Sequence, residues 1–267
     1  VNPRHIAAVV LRQFYLMRGS PTRVLPMFAW VAIDIVLWGF ITRYLNSVSG
    51  ARFDFVSSLL GAVLMWDFFG RVMQGVTTAF LEDVWSRNFI NIFATPVTLS
   101  EYLLGLVLTS IATSIVGLAV MLVLATAVFG LSFFVYGLLL IPLLLVLFLF
   151  GIALGILACA MVLRLGPASE WLVWPIPAML SPFAAVFYPM STLPGWMQAI
   201  GHVLPPSYIF EGMRRFVAGH GFPASALGWS MALAVLQIVL AGWVFARVFR
   251  RSVQSGLLAR YSAESVA

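Results

Sequence analysis

The chain has 267 residues, of which 62% are hydrophobic and only 9% are charged, with a formal net charge of +6 and a mean hydropathy of +1.04. A soluble domain is nearer half apolar and a quarter charged, so this balance excludes an ordinary soluble fold and points to an all-α membrane protein. All 15 basic residues are arginine, and a chain without lysine cannot be a P-loop ATPase by itself, because that loop needs its Lys on the nucleotide phosphates.

The first predicted element, within residues 1–23, is an interfacial helix. Ile6, Val10, Phe14 and Met17 recur at helical spacing on one side, with Arg4, His5 and Arg12 on the other. Arg12, Arg18 and Arg23 interrupt this segment, so it reads as a helix on the membrane and not as a cleavable signal peptide. Apolar blocks of bilayer-crossing length then predict six spans, at 24–41, 56–81, 102–129, 133–163, 171–188 and 226–249. The fourth is too long to cross upright, so tilt or a kink at Pro142 should absorb the excess. The fifth is interrupted by Pro175, Pro177 and Pro182.

Between the second and third spans lies "FLEDVWSRNFINIFATPVTLSEY", residues 80–102, where a chain poor in charge places Glu82, Asp83, Arg87 and Glu101 beside Trp85, Phe89 and Phe93. A plain connecting loop needs neither the charges nor the aromatics. Apolar anchors with complementary charge suit docking onto a soluble protein partner, so residues 82–101 are expected to be a coupling segment.

An even number of spans puts both termini on one side. That side carries Arg4, Arg12, Arg18, Arg23, Arg87, Arg164, Arg247, Arg250, Arg251 and Arg260, and the other Arg43, Arg52, Arg214 and Arg215. The positive-inside bias then predicts both termini in the cytoplasm. Because the basic residues flank apolar blocks, they read as orientation signals and no nucleic-acid partner is expected.

The loop at 189–225 is predicted on the outer side as a helical hairpin, re-entrant or interfacial, punctuated by Pro194, Pro205 and Pro206. Tyr188, Trp196 and Tyr208 are candidates to line an exit for a sugar or lipid. Glu211, Arg214 and Arg215 read either as a solvated salt bridge or as contacts to an anionic or glycan substrate.

Within the spans, Asp67 and Arg71 stand four apart on one helical face, and Asp34 has no sequence-local partner. Ionised groups at that depth face the bundle interior, so the three form either a polar patch on a substrate route or a structural pair with Asp34 across a helix interface. Gly151 and Gly155 allow close helix packing, more readily inside the chain than between copies. Cys159 reads as a small buried side chain. No His-Glu-x-x-His, Gly-x-Ser-x-Gly or acidic metal pair is present, which argues against an enzyme.

Six spans, an amphipathic first helix, "ATPVTLSEYLLG" after the charged stretch and "FYPMSTLPGWMQAIGHVLPPSYIFEGMRR" in the hairpin together resemble the permeases of type-2 ABC exporters. In many relatives a Gly-Thr pair follows the arginine, whereas here Asn88-Phe89 follows Arg87. The resemblance implies a permease subunit in the cytoplasmic membrane that works as a homodimer. Residues 82–101 would be the coupling helix of a separate ABC ATP-binding subunit, and that subunit, not this chain, would bind ATP and Mg. The cargo implied is amphiphilic, glycan- or lipid-linked, or drug-like. Two rivals remain open: an ion-gradient transporter using Asp34 and Asp67, against which the lack of an internal repeat speaks, and a membrane assembly protein without cargo.

Overall fold

The computed structural model of the protein describes residues 1–19, 21–48, 59–86, 88–130 and 137–255. Parts of the predicted second and fourth spans, 56–58 and 133–136, and Arg52, Arg87 and Arg260 lie outside the described residues. Among the described residues all regular structure is helical: α1 (Pro3–Arg18), α2 (Pro21–Val48), α3 (Gly61–Trp85), α4 (Phe89–Phe93), α5 (Leu99–Phe129), α6 (Leu140–Leu165), α7 (Ile176–Leu180), α8 (Gly195–Gly201), α9 (Pro205–Val217) and α10 (Ala224–Gln254), with 3-10 turns at 167–172 and 190–192.

Three of these helices are long and apolar enough to cross a membrane: α5, α6 with the turn that precedes it, and α10. Half of the apolar window of α6 is buried, against 22% in α5 and 17% in α10, so α6 is the central post and the other two turn most of their apolar surface outward. The outward faces of α10 carry Val235, Leu236, Val239 and Leu240, and those of α5 carry Ile115, Val116 and Val123. In water such faces would aggregate; in hydrocarbon they cost nothing.

Small residues set the helix contacts. A Cβ at Gly151 would meet Val72 Cβ at 2.9 Å, and one at Gly155 would meet Val76 Cβ at 2.8 Å. The Gly-x-x-x-Gly pattern therefore brings α6 onto α3 inside the chain. Gly75 makes room for Ser110 of α5, whose hydroxyl donates to the Val72 carbonyl at 2.8 Å. Cys159 is free and buried in this packing.

Helix ends follow local chemistry. Thr98 and Glu101 form a capping box at the start of α5, and Gly130 closes its end at φ 68°. Pro205 and Pro206 open α9, where the missing N–H groups cost no helical bond. The same rule corrects the reading of the fourth span. Pro142 does not kink a long helix: α6 begins at Leu140, so Pro142 stands in its first turn, where no intrahelical donor is needed.

The fifth predicted span is also different in kind. No regular helix runs through 171–188. A 3-10 turn at 167–172 is followed by the five-residue α7, with a mixture of i→i−3 and i→i−4 bonds as far as Ala184. Each proline removes a donor and clashes with the preceding turn. The loosening adds reach. One end of the stretch lies at the C-terminal end of α3, where Trp85 bonds Glu170. The other lies beside Leu59 and Ala62 at the opposite end, where Val186 and Phe187 line a shared cavity of about 30 Å³. From 170 to 187 an α-helix would rise about 26 Å and a 3-10 helix about 34 Å, and α3 with its 25 residues is about 37 Å long.

Candidate functional site

The ends of α3 define two separate polar assemblies. At its C-terminal end the chain folds 82–101 back on itself. Tyr102, fully buried at the start of α5, donates its hydroxyl to Asp83 Oδ2 at 2.7 Å, so the two ends of the segment are joined. Arg12 of α1 pairs with the other carboxylate oxygen of Asp83. Burial pushes the Asp83 carboxyl up, against the pull of the Tyr102 hydrogen bond and the Arg12 charge.

α1 is fastened over this closure at three further points. Gln13, itself buried, donates to the Ala79 carbonyl at 3.0 Å. Val9 fills the space left by the missing side chain of Gly105, where a Cβ would lie 2.5 Å from it. Glu101, one residue ahead of the third predicted span, accepts from the Thr98 amide at 2.9 Å, the Asn2 amide at 2.6 Å and His5 Nδ1 at 2.9 Å. The Thr98 and Asn2 amides, then His5, hold its carboxyl down to about 2.

The orientation of α1 corrects the sequence reading of its faces. His5, Arg12 and Gln13 turn toward the protein, where charged and polar partners wait, and Leu11, Phe14 and Tyr15 are more than half exposed. Periodicity identified an amphipathic helix but not which face the protein would take. The missing signal was Asp83 and Glu101, acids that need buried partners.

Asp83 and Phe93 were expected to face a partner, and the geometry turns both inward. Asp83 is fully buried. Phe93 packs edge-on to Tyr102 at 5.4 Å and against Phe249 of α10 at 4.9 Å between ring centroids. They hold the segment in place. What projects is Trp85, 48% exposed, with Asn91 and the turn 94–96. Trp85 is not loose, since its indole N–H donates to Glu170 Oε2 at 2.6 Å. Glu82 is half-buried beside Gln13 and Thr109. Phe89 begins the short α4, and Arg87 lies outside the described residues.

In the middle of the bundle, Asp34 of α2 and Asp67 and Arg71 of α3 lie close enough to act on one another's charge. The Arg71 side chain passes over Gly117 of α5, where a Cβ would meet its Nη1 at 3.1 Å. The three residues picked from sequence are thus one cluster where α2, α3 and α5 meet.

At the far end of α3, Tyr188 donates to the Pro182 carbonyl at 2.9 Å and Tyr208 to the His202 carbonyl at 3.0 Å. Arg214 Nη2 donates to Glu211 Oε2 at 2.8 Å, a pair in which Arg214 is largely covered and Glu211 is 42% exposed. Trp196 and Arg215 are exposed. Among the described residues no group of His, Cys, Asp and Glu could hold a metal ion.

Long apolar helices with outward-facing hydrocarbon surface, a half-buried charge cluster and a pinned polar segment at one end make this an integral membrane protein. Residues 4–217 match the family model for the ABC-2 type transporter, and the chain belongs to that family. The membrane domain of this family is the permease-type component, not itself an ATPase, and normally works with an ATP-binding subunit. No curated protein matches the chain.

Proposed function

We propose that the chain is the permease subunit of an ATP-driven exporter in the cytoplasmic membrane, working as a homodimer with both termini in the cytoplasm and six crossings. Residues 82–101 are its coupling segment, and the turn 94–96 with Trp85 and Arg87 is the part the ATP-binding subunit grips. The observation that carries this reading is the construction of that segment. Both of its ends are tied by the buried Asp83–Tyr102 bond, α1 is clamped over it, and Asn91 and the turn 94–96 stand out in the open. A push on a loose loop is absorbed by the loop, whereas a push on a closed, clamped segment moves the helices that carry it.

ATPase closure would push this segment and alternate the bundle between two packings. Cargo would pass between two copies, near α2, α3 and the 171–188 stretch, with the Asp34–Asp67–Arg71 cluster on the route. The open apolar face of α2, formed by Ile33, Val36, Leu37 and Phe40, would meet the second copy or lipid. Trp196 and Arg215 at the far end would contact an amphiphilic, glycan-linked or drug-like cargo on leaving.

The test is recovery of the chain from its native membrane in mild detergent, with vanadate-sensitive ATPase activity measured on the eluate. A co-purifying ATPase that is lost in Trp85→Ala and Arg87→Glu is the expected result, with membrane insertion unchanged. A chain that emerges alone and inactive, while another ABC complex in the same extract stays whole, would move the reading to gradient-driven transport.

A further inference from the structure

The far end of 171–188 leaves backbone carbonyls in need of donors. Pro175, Pro177 and Pro182 bring no N–H, and beyond Ala184 the helical bonds stop. Ala185 then takes φ 51°, the left-handed region that a residue with a side chain enters at a cost. Ala185 and Val186 are both buried, so water cannot satisfy their carbonyls. Arg214 does so from α9. Its Nη1 donates to the Ala185 carbonyl at 2.9 Å and to the Val186 carbonyl at 3.3 Å. Its Nη2 donates to Glu211 Oε2 at 2.8 Å, and the same oxygen accepts from the Met190 amide at 3.3 Å. One guanidinium and one carboxylate thus hold three points of the elbow 185–190 against one helix.

The contact of the elbow with α2 is of another kind. Trp38 and Phe187 stack with ring centroids 5.1 Å apart and planes 14° from parallel, and the rings exchange no hydrogen bond. Parting this stack breaks ring contacts only. Parting the elbow from α9 strands two buried carbonyls, a backbone amide and an ion pair. If one of these two seams must open, the stack gives way first.

We infer that Arg214, oriented by Glu211, is a positioning residue that welds the elbow 185–190 to α9 so that both move as one body, and that the seam that parts at this end is the Trp38–Phe187 stack. This also reassigns Glu211 and Arg214 from cargo recognition, because both Nη groups of Arg214 and Oε2 of Glu211 are engaged inside the fold. The inference rests on the transporter reading only for the need to open.

Hydrogen–deuterium exchange on the full chain in lipid nanodiscs tests it without nucleotide or partner. In Arg214→Gln the amides of 185–193 should exchange at least about tenfold faster and those of α9 should loosen with them, while α2 and α6 keep wild-type protection. Arg214→Lys keeps the charge but loses the fork, and should be intermediate. Phe187→Ala should loosen the 36–44 part of α2 and leave α9 alone. Wild-type protection of 185–193 in Arg214→Gln overturns the weld, and so does loosening spread evenly into α6. Loosening of α9 in Phe187→Ala overturns the assignment of the seam. Should Arg214→Gln fail to fold, Arg214→Lys and Glu211→Ala carry the same comparison, with 185–193 as protected as in wild type counting against the weld. Failure to recover an ATPase from the native membrane would instead count against the transporter reading and leave this result standing.

Discussion

Removing the charge from Asp83 leaves a guanidinium with nothing to answer it. In Asp83→Asn the side chain still accepts from Tyr102, but Arg12 loses its counter-charge in a site where Asp83 is fully buried. Tyr102→Phe does the converse, leaving a buried carboxylate oxygen short of a donor. Each change should cost about 1–3 kcal/mol of stability, the penalty of a buried polar group left unsatisfied. Thermal unfolding in detergent would read this, and the double variant should cost less than the sum because both act on one network. The pH sign is set by the raised carboxyl. The folded state holds that proton more tightly than the unfolded chain, so the Asp83 contribution falls as pH rises from the ordinary carboxylate value through the folded one. Sequence revealed that a charge stands at 83 but not its depth. On a helix end, position 83 and its neighbours 82 and 85 turn to different sides, and only the placement of Tyr102 and Arg12 decides which side is interior. Arg71 and Asp67 were legible because their four-residue spacing lies within one helix.

The clasp that holds α1 contains a carboxyl whose titration is shifted by the fold. Glu101 is held down to about 2 by the Thr98 and Asn2 amides and by His5. A depressed carboxyl contributes stability that is complete above its unfolded value, near 4.5, and is lost as pH falls through the folded value. Exchange of α1 amides should therefore stay constant from neutral pH down to the unfolded value and rise below it, after correction for intrinsic exchange rates. In Glu101→Gln the acid-dependent part of that rise should vanish, and α1 should already be looser at neutral pH. A pH-independent α1 in the wild type would sink the clasp. At this scale the sequence served well where punctuation was read locally: Pro205 and Pro206, taken as breaks in the hairpin, mark the start of α9. It served less well where the outcome depended on neighbours. Pro142 reads as a kink or as a first-turn residue depending on where α6 begins. The winding of 171–188 depends on prolines and on Arg214, which stands 29 residues beyond Ala185.

Across the whole molecule, the stretch 171–188 and the residue before it are tied by side-chain hydrogen bonds to both polar assemblies. Glu170 just ahead of it accepts from Trp85 at the coupling end, and Ala185 and Val186 accept from Arg214 at the hairpin end. A helix that alternates between tight and loose turns changes length at small cost, so a strut of this kind passes on a push only if both ends are held. The Trp85–Glu170 bond is exposed and contributes only about 0.5–1.5 kcal/mol to stability, so breaking it should leave the fold intact and act on transmission. Trp85→Phe removes the donor and keeps the aromatic bulk for docking. The ATPase should still co-purify with this variant. In wild-type complexes, trapping with ATP and vanadate should change exchange in the 36–44 part of α2, where the Trp38–Phe187 stack parts. In Trp85→Phe, and equally in Glu170→Ala, that nucleotide-dependent change should shrink by up to about half, the effect of losing one of several parallel links. Glu170→Gln, which keeps an acceptor for the indole N–H, should retain most of it. An undiminished change in Trp85→Phe would mean that the push travels through α3 and α6, which pack closely along Gly151 and Gly155.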